Sequence, residues 1–467
     1  MKLPRLIVAG THSGVGKTTV TLALTLALRD SKLPIQPFKV GPDYLDPTYH
    51  TLAASRPCRN LDGWMMGEAA VRQSLARASA GASLAIIEGV MGLYDGAGVG
   101  SEVGSTAQMA KWLGAPVILV IDASGMATTA AALALGCVRY DPDVPWAGVI
   151  FNRVGSERHL AWLREAVERT TSLKVLGGLP VDAGIAIPER HLGLVGADRS
   201  IMTPDLNGRL VELARQWFDL RTILHLAADV PQLDAPPIIM TERARGWRIG
   251  VARDEAFSFY YLDNLEFLEA AGAELLPFSP VHDDALPPDL DGLYLGGGYP
   301  ELHAEALATG KPMRDAIAQF ARRGGSIYAE CGGLMYLSQA LHTLDGTRHR
   351  MVGLLPGEVR MLQKRKTLGY REVEALEDLP FLAKGERARG HEFHYSEWID
   401  ESEPIGEWSR PYHLLDKTGR VLGREGWRWR NVVASYIHLH FGSNPTMVER
   451  WSDACLRSRG DRTVTRS

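Results

Sequence analysis

The run LIVAGTHSGVGKTTVTLALTLAL, residues 6–28, decides the fold of the first half of the chain. Its opening residues, LIVAG (6–10), are continuously apolar or small and read as a buried strand; TVTLALTLAL (19–28) reads as a helix. Between them lies GTHSGVGKTT (10–19). Glycines there let backbone N–H groups turn toward phosphate oxygens, and the helix N-terminus adds positive potential. On this reading His12, Ser13, Gly14, Val15, Gly16, Lys17, Thr18 and Thr19 form a nucleotide cradle. Lys17 reaches the β- and γ-phosphates, and the Thr18 hydroxyl ligates Mg2+. The spacing departs from the usual pattern, which asks for glycine five residues before Gly16. That place holds Thr11, and the glycine stands one position earlier, at Gly10.

Working outward, further apolar runs occur at IQPFKV (35–40), LAIIEG (84–89), PVILVID (116–122) and AGVIFN (147–152). Unbroken apolar strands alternating with helical stretches predict a parallel sheet covered on both faces. At LAADVPQLDAPPIIMTERARG (226–246) the periodicity gives way to prolines, which suggests a linker. A second series follows: RIGVARD (248–254), ELLPF (274–278), DGLYLGGG (291–298) and SIYAECGG (326–333), with VVASYIHLHF (432–441) as a late strand. The expectation is a two-domain α/β protein, with a nucleotide-binding domain over 1–225, a linker over 226–246, a second α/β domain over 247–445 and a polar tail over 446–467.

Composition bounds the function. The chain has 467 residues, a formal net charge of −4, 45% hydrophobic and 23% charged residues, which is ordinary for a water-soluble globular protein. So slight a charge argues against a general nucleic-acid or membrane-surface binder, and no apolar run is long enough to span a bilayer. The N-terminal MKLPRLIVAG resembles a short signal core, but the phosphate loop follows at once, so it reads as a first strand. Four cysteines, Cys58, Cys137, Cys331 and Cys455, stand far apart without CxxC pairing, which disfavours a zinc site or a disulfide framework and points to the reducing cytoplasm.

Two carboxylates suit the metal. Asp43 follows IQPFKV and Glu88 ends LAIIE; ligands in open parallel sheets gather at strand carboxyl ends, where the phosphate loop also lies. The competing readings are a turn aspartate after Gly41-Pro42 and a helix-capping glutamate.

In SIYAECGGLMYL (326–337) an apolar strand runs into Cys331, two glycines and the helical LMYLSQAL. This is the layout of a nucleophile elbow, with the thiol exposed above the sheet and a helix end lowering its pKa. His438, with His440 two residues on, offers a base. LGGGYPE (295–301) offers backbone donors for an oxyanion at Gly297, Gly298 and Tyr299. Thiol, imidazole and donor loop are the parts for thioester chemistry on an amide.

GTHSGVGKTT, KVGPDYLDPTYH (39–50) and IIEGVMGLYDG (86–96) resemble the ATP-binding domain of the cobyrinate a,c-diamide synthases, relatives of dethiobiotin synthetase, which shares the displaced glycine. That resemblance implies a P-loop-type sheet, ATP and Mg2+, and metal ligation by Thr18, Asp43 and Glu88. It also implies that Lys39 helps hold phosphate charge, that Asn152 contacts adenine, and that Tyr44, Leu45 and Asp46 lie near the substrate. The second half resembles a type I (flavodoxin-like) glutamine amidotransferase domain, with LGYREVE (368–374) and RGHEFHYSEW (389–398) characteristic of the same family. There Cys331 is implied to release ammonia from glutamine and His438 to be its base. Many relatives carry glutamate two residues after the base; here that place holds His440, and the orienting group stays open. The implied partner is a corrinoid polycarboxylate, amidated at its a- and c-carboxylates in cobalamin biosynthesis, with a homodimer as one compatible assembly. Hydrogenobyrinate and a nickel sirohydrochlorin are handled by sister enzymes. A reading of another class, an ATP switch of the partitioning type, would leave Cys331 and His438 without use.

Overall fold

The computed structural model describes residues 2–185, 202–235, 246–399 and 406–464. The chain divides into two compact units, Met1–Ile238 and Ile239–Ser467.

In the first unit seven strands form one parallel sheet: β1 (Arg5–Gly10), β2 (Ile35–Val40), β3 (Arg59–Leu61), β4 (Leu84–Glu88), β5 (Val117–Asp122), β6 (Trp146–Val154) and β7 (Val175–Pro180). Their order is β3-β2-β4-β1-β5-β6-β7. All six residues of β1 are buried, as expected for a strand with helices on both faces. Helix α1 (Lys17–Asp30) lays Val20, Leu22, Leu24 and Leu26 into a core shared with Leu206, Leu210 and Leu213 of the helix Pro204–Trp217. Each such side chain, removed from water, contributes about 1.5–3 kcal/mol. Because β4 and β5 flank β1 on opposite sides, the loop leaving β1 opens at the point where the strand order reverses, which is where such sheets place ligands. The strands β3 and β7 were not legible in the sequence. The first is three residues long, and the second, VLGGLP, carries glycines because a Cβ at Gly177 would overlap the Trp217 carbonyl.

The second unit is built on a sheet ordered Val432–Ser435, β11 (Ser326–Glu330), β10 (Gly292–Leu295), β8 (Trp247–Ala252) and β9 (Ala273–Phe278), all parallel. Two short antiparallel strands, Trp427–Trp429 and Trp408–Ser409, extend it at one side. A separate antiparallel sheet runs Val421–Glu425, Tyr412–Asp416, Thr367–Ala375, Arg387–His394 and Ile437–Leu439.

Three expectations are corrected. The stretch 432–441 is two strands, not one. Its first part closes the parallel sheet and Ile437–Leu439 joins the antiparallel one. The corner at Tyr436 is held by side chains: the Tyr436 N–H donates to Glu425 (2.8 Å) and the Ile437 N–H to Ser435 Oγ (2.9 Å). Within the expected linker, helix Leu220–Ala228 occupies the first residues, and the units divide between Ile238 and Ile239. The expected polar tail begins with a helix, Thr446–Val464, whose Met447, Val448, Trp451 and Cys455 are buried. Its polar composition hid an apolar stripe at helical spacing.

Candidate active sites

The glycine at position 10 has a steric reason: a Cβ there would overlap Val15 Cγ1 and sit 3.0 Å from Lys17 Cγ. Thr11, in the usual glycine place, donates its N–H to Val120 of the neighbouring β5 (3.3 Å) and pairs its hydroxyl with His12 Nδ1 (2.9 Å). His12, Ser13 and Gly14 are exposed at the loop crest, whereas Val15 and Lys17 are buried beneath it. Gly14 and Gly16 adopt positive φ of 81° and 99°, the left-handed conformation that costs glycine least. Asn152, near the end of β6, packs against Gly16 and donates Nδ2–H to the Val15 carbonyl (3.0 Å). Its amide nitrogen thus braces the phosphate loop, a role the sequence did not suggest.

Lys17 donates to the Met91 carbonyl (2.6 Å) and the His12 carbonyl (3.3 Å). Burial, with the Lys39 charge adding to it, pulls its ammonium down to about 8. Next to it lies a buried charge cluster. Lys39 is 2.9 Å from both Asp46 Oδ2 and Glu88 Oε1. Thr18 Oγ1–H donates to Glu88 Oε1 (2.9 Å), and His50 Nε2 meets Glu88 Oε2 at 2.5 Å. Sheet register produces this, since Lys39 on β2 stands directly beside Glu88 on β4. Burial alone would push the Glu88 carboxyl up, but Lys39 and His50 overcome it and hold it below the usual range. Burial would likewise lower Lys39, and Asp46 with Glu88 reverses that, so the ammonium stays charged. His50, on helix α2 (Asp46–Ala54), is a member of this cluster that motif reading missed.

Asp43 spends Oδ1 on the N–H groups of Leu45 (2.8 Å) and Asp46 (3.1 Å), fixing the start of α2, so the turn-aspartate reading describes part of what it does. Leu45 and Asp46 are buried and Tyr44 is half-buried. Mg2+ takes oxygen donors and keeps several waters. The hydroxyl of Thr18 and the carboxylate of Glu88, in contact, are such a donor pair. Among the described residues no group of three or more His, Cys, Asp or Glu is placed to hold a metal by itself.

In the second unit Cys331 stands at φ 46°, ψ −98° between β11 and a helix of six residues, Gly332–Leu337. That strained backbone is the elbow. Its glycines are required: a Cβ at Gly333 would overlap the Leu295 carbonyl, and one at Gly332 would come within 3.1 Å of Gly298 N. The glycine loop after β10 lies against both catalytic candidates, with Gly298 facing the elbow and the His438 ring filling the space where a Gly297 Cβ would be. The Gly297 N–H is turned to Phe259 O (3.3 Å) and the Tyr299 N–H to Ala256 O (2.9 Å), while the Gly298 nitrogen lies close to Gly332 of the elbow.

The expectation of an exposed, acidified thiol is corrected. Cys331 is 6% exposed. Burial, with Glu301 adding to it, pushes the thiol well above its ordinary pKa, and the Gly332 N–H offsets only part of that. The helix that was to stabilise a thiolate ends at Leu337, and Ala340–His342 is already strand. His438 is likewise buried, and its imidazole is held neutral by burial and by the nearby His391 and His394. Its ring stacks on His391 at 5.2 Å, across the paired strands Arg387–His394 and Ile437–Leu439. The two motifs LGYREVE and RGHEFHYSEW are thus a strand pair in register, Leu368 opposite Phe393 and Tyr370 opposite His391, that carries the base into place. Cys58, Cys137 and Cys455 are free thiols; Cys58 is buried within reach of the Glu88 and Lys39 charges, and burial with Glu88 pushes its thiol up.

Comparison with known proteins agrees with this division. Residues 6–195 match a CobQ/CobB/MinD/ParA nucleotide binding domain, and residues 248–446 match a CobB/CobQ-like glutamine amidotransferase domain. A cobyrinate a,c-diamide synthase of Syntrophotalea carbinolica is 50% identical over 97% of this chain and 99% of its own. The chain belongs to the cobyrinate a,c-diamide synthase family. Members from Priestia megaterium (98% of each chain covered) and Salmonella typhimurium (97% of this chain, 98% of its own) are each 42% identical. The likeness to cobyrinate a,c-diamide synthases therefore spans both units. No helix among the described residues is long and apolar enough to cross a membrane.

Proposed function

We propose that this chain converts the a- and c-carboxylates of cobyrinate to amides, with ATP as activator and glutamine as nitrogen donor. The observation that carries it is the pairing, in one chain, of a phosphate loop beside a buried Lys39–Asp46–Glu88 cluster with a thiol elbow and an imidazole that both lie against one glycine loop. Neither half alone accounts for both sets of side chains.

A carboxylate is a poor electrophile and does not condense with ammonia in water. In the first unit Lys17 and the loop N–H groups hold the triphosphate. A substrate carboxylate oxygen attacks the γ-phosphorus, ADP leaves, and an acyl phosphate results. Ammonia then attacks the acyl carbon and inorganic phosphate departs. Mg2+ held by Thr18 and Glu88, with Asp43 contributing, would neutralise charge on the transferring phosphoryl group. Lys39 keeps its positive charge against burial and adds to that field. Tyr44, Leu45 and Asp46, which follow Asp43, are assigned to the substrate side, and Asn152 to the base side of the nucleotide.

In the second unit the Cys331 thiol passes its proton to His438 as sulfur attacks the glutamine side-chain carbonyl. Gly298 N–H faces the developing oxyanion. Ammonia leaves with a proton returned by His438, and water hydrolyses the thioester to glutamate.

Mass spectrometry of candidate rings incubated with ATP, Mg2+ and glutamine tests this directly. Each carboxyl converted to an amide lowers the mass by about one unit, since NH2 replaces OH. Two such losses on cobyrinate are expected. No mass change on cobyrinate, or change only on a metal-free or nickel ring, would overturn the substrate assignment.

A further inference from the structure

We propose that Glu330 is the positioning carboxylate of the thiol site, acting on Cys331 through His438. This rests on reading Cys331 and His438 as nucleophile and base. The place two residues after the base, where many related amidotransferases carry glutamate, holds His440. That ring accepts the Gly442 N–H (3.1 Å) and packs 5.0 Å from Tyr261.

A carboxylate arrives from a different direction. Glu330 is the last residue of β11, immediately before the nucleophile, and is 1% exposed. Parallel register sets it beside Ser435, three residues ahead of His438, and the corner at Tyr436 then swings the base back over it. Glu330 Oε2 stands 3.8 Å from His438 Nδ1. Its position is fixed by three donors. Oε1 accepts from Tyr328 OH (2.5 Å) and from the Leu439 N–H (3.0 Å), and Oε2 accepts from Tyr294 OH (3.0 Å). The Leu439 bond ties the carboxylate to the residue next to the base, so the two cannot drift apart.

An acceptor facing Nδ1 favours the tautomer that carries its proton there. That leaves Nε2 to accept from the thiol, and the carboxylate then stabilises the imidazolium that forms. The 3.8 Å separation is ion-pair distance; catalytic contacts of this kind tighten when substrate binds. Burial pushes the Glu330 carboxyl up to about 8, against the pull of Tyr328, Tyr294 and the Leu439 N–H. An adjacent imidazolium favours the ionised carboxylate, which is the form that accepts from Nδ1–H.

The test uses the full chain. Glu330→Gln keeps the size of the side chain and an acceptor for the tyrosine hydroxyls. It is expected to lower kcat for glutamine hydrolysis by about tenfold to a hundredfold while KM for glutamine stays within about twofold. Nitrogen-15 spectra of His438 should show the Nδ1–H tautomer losing population, which a purely structural role for Glu330 would not cause. Amidation with ammonium salts reports that the chain is folded. If Glu330→Gln does not fold, Glu330→Asp, which draws the carboxylate back by one methylene, must show the same loss in kcat with KM kept. Glutamine hydrolysis within about twofold of the natural rate in the folded variant, or an unchanged His438 tautomer, overturns the proposal. Cys331→Ala separates the two levels. If it still hydrolyses glutamine, the reading of the thiol site fails; if it is inactive while Glu330→Gln is not, only the role of Glu330 fails.

Discussion

Lys17 is enclosed by the Met91 and His12 carbonyls, and burial with Lys39 repulsion brings its ammonium down to about 8. Triphosphate oxygens favour the charged form, so ligand binding must raise that value toward the ordinary lysine range of about 10.4. Between those two limits the free protein has lost the proton and the complex has regained it, so binding takes one up. Linkage then gives the sign: affinity for ATP falls as pH rises above about 8, by up to about tenfold per pH unit, and is flat below it. Calorimetry in two buffers of different ionisation heat should find close to one proton taken up near pH 9 and almost none near pH 7, and Lys17→Met should remove the difference. Equal uptake at both pH values would mean that Lys17 does not meet phosphate. The same residue scale shows what was readable. Lys17, Thr18 and Cys331 announce themselves through local patterns of two or three neighbours. Glu330, His50 and the bracing bond from Asn152 do not, because each acquires its role from a partner 38 to 137 positions away.

At the scale of elements, the buried parallel strands were legible because continuous apolar runs leave few other readings, and β1, β2 and β5 fall within a residue of the expected limits. The stretch 432–441 was not, since its apolar run continues through Tyr436 while the hydrogen-bonding partners change from one sheet to another. The helix Thr446–Val464 was hidden by the charged residues on its outer side. Its anchor is Trp451, 1% exposed, which donates Nε1–H to Ser326 Oγ (2.9 Å) and packs against Trp247, Tyr294 and Tyr328. Since Ser326 begins β11, this helix supports the strand that ends in Glu330 and presents Cys331. Trp451→Ala is expected to destabilise the second unit by about 3–5 kcal/mol, read as a lower urea midpoint for the loss of tryptophan and tyrosine near-ultraviolet signal. A shift under about 1 kcal/mol would show the helix to be peripheral.

For the whole molecule, the chemistry imposes a condition on nitrogen. Ammonia released into water at neutral pH is rapidly protonated, as amines of this basicity are, and ammonium cannot attack an acyl phosphate. Coupling the two reactions in one chain is useful only if the nitrogen reaches the acyl phosphate before it equilibrates with solvent, which amounts to a high local concentration. The expected result follows from label competition. With glutamine labelled by nitrogen-15 in the side-chain amide and unlabelled ammonium in about tenfold excess, a shared pool would give about one labelled amide in eleven, the dilution expected when delivery has no local advantage. Sequestered delivery gives product amides that are mostly labelled, read by mass spectrometry of the ring. In Cys331→Ala the label should vanish and only unlabelled amide form, which separates the source of nitrogen from the activation of the carboxylate. Label at the pool ratio in the unaltered chain would mean that the ammonia equilibrates with solvent before it reacts, and sequestered delivery of nitrogen would be ruled out.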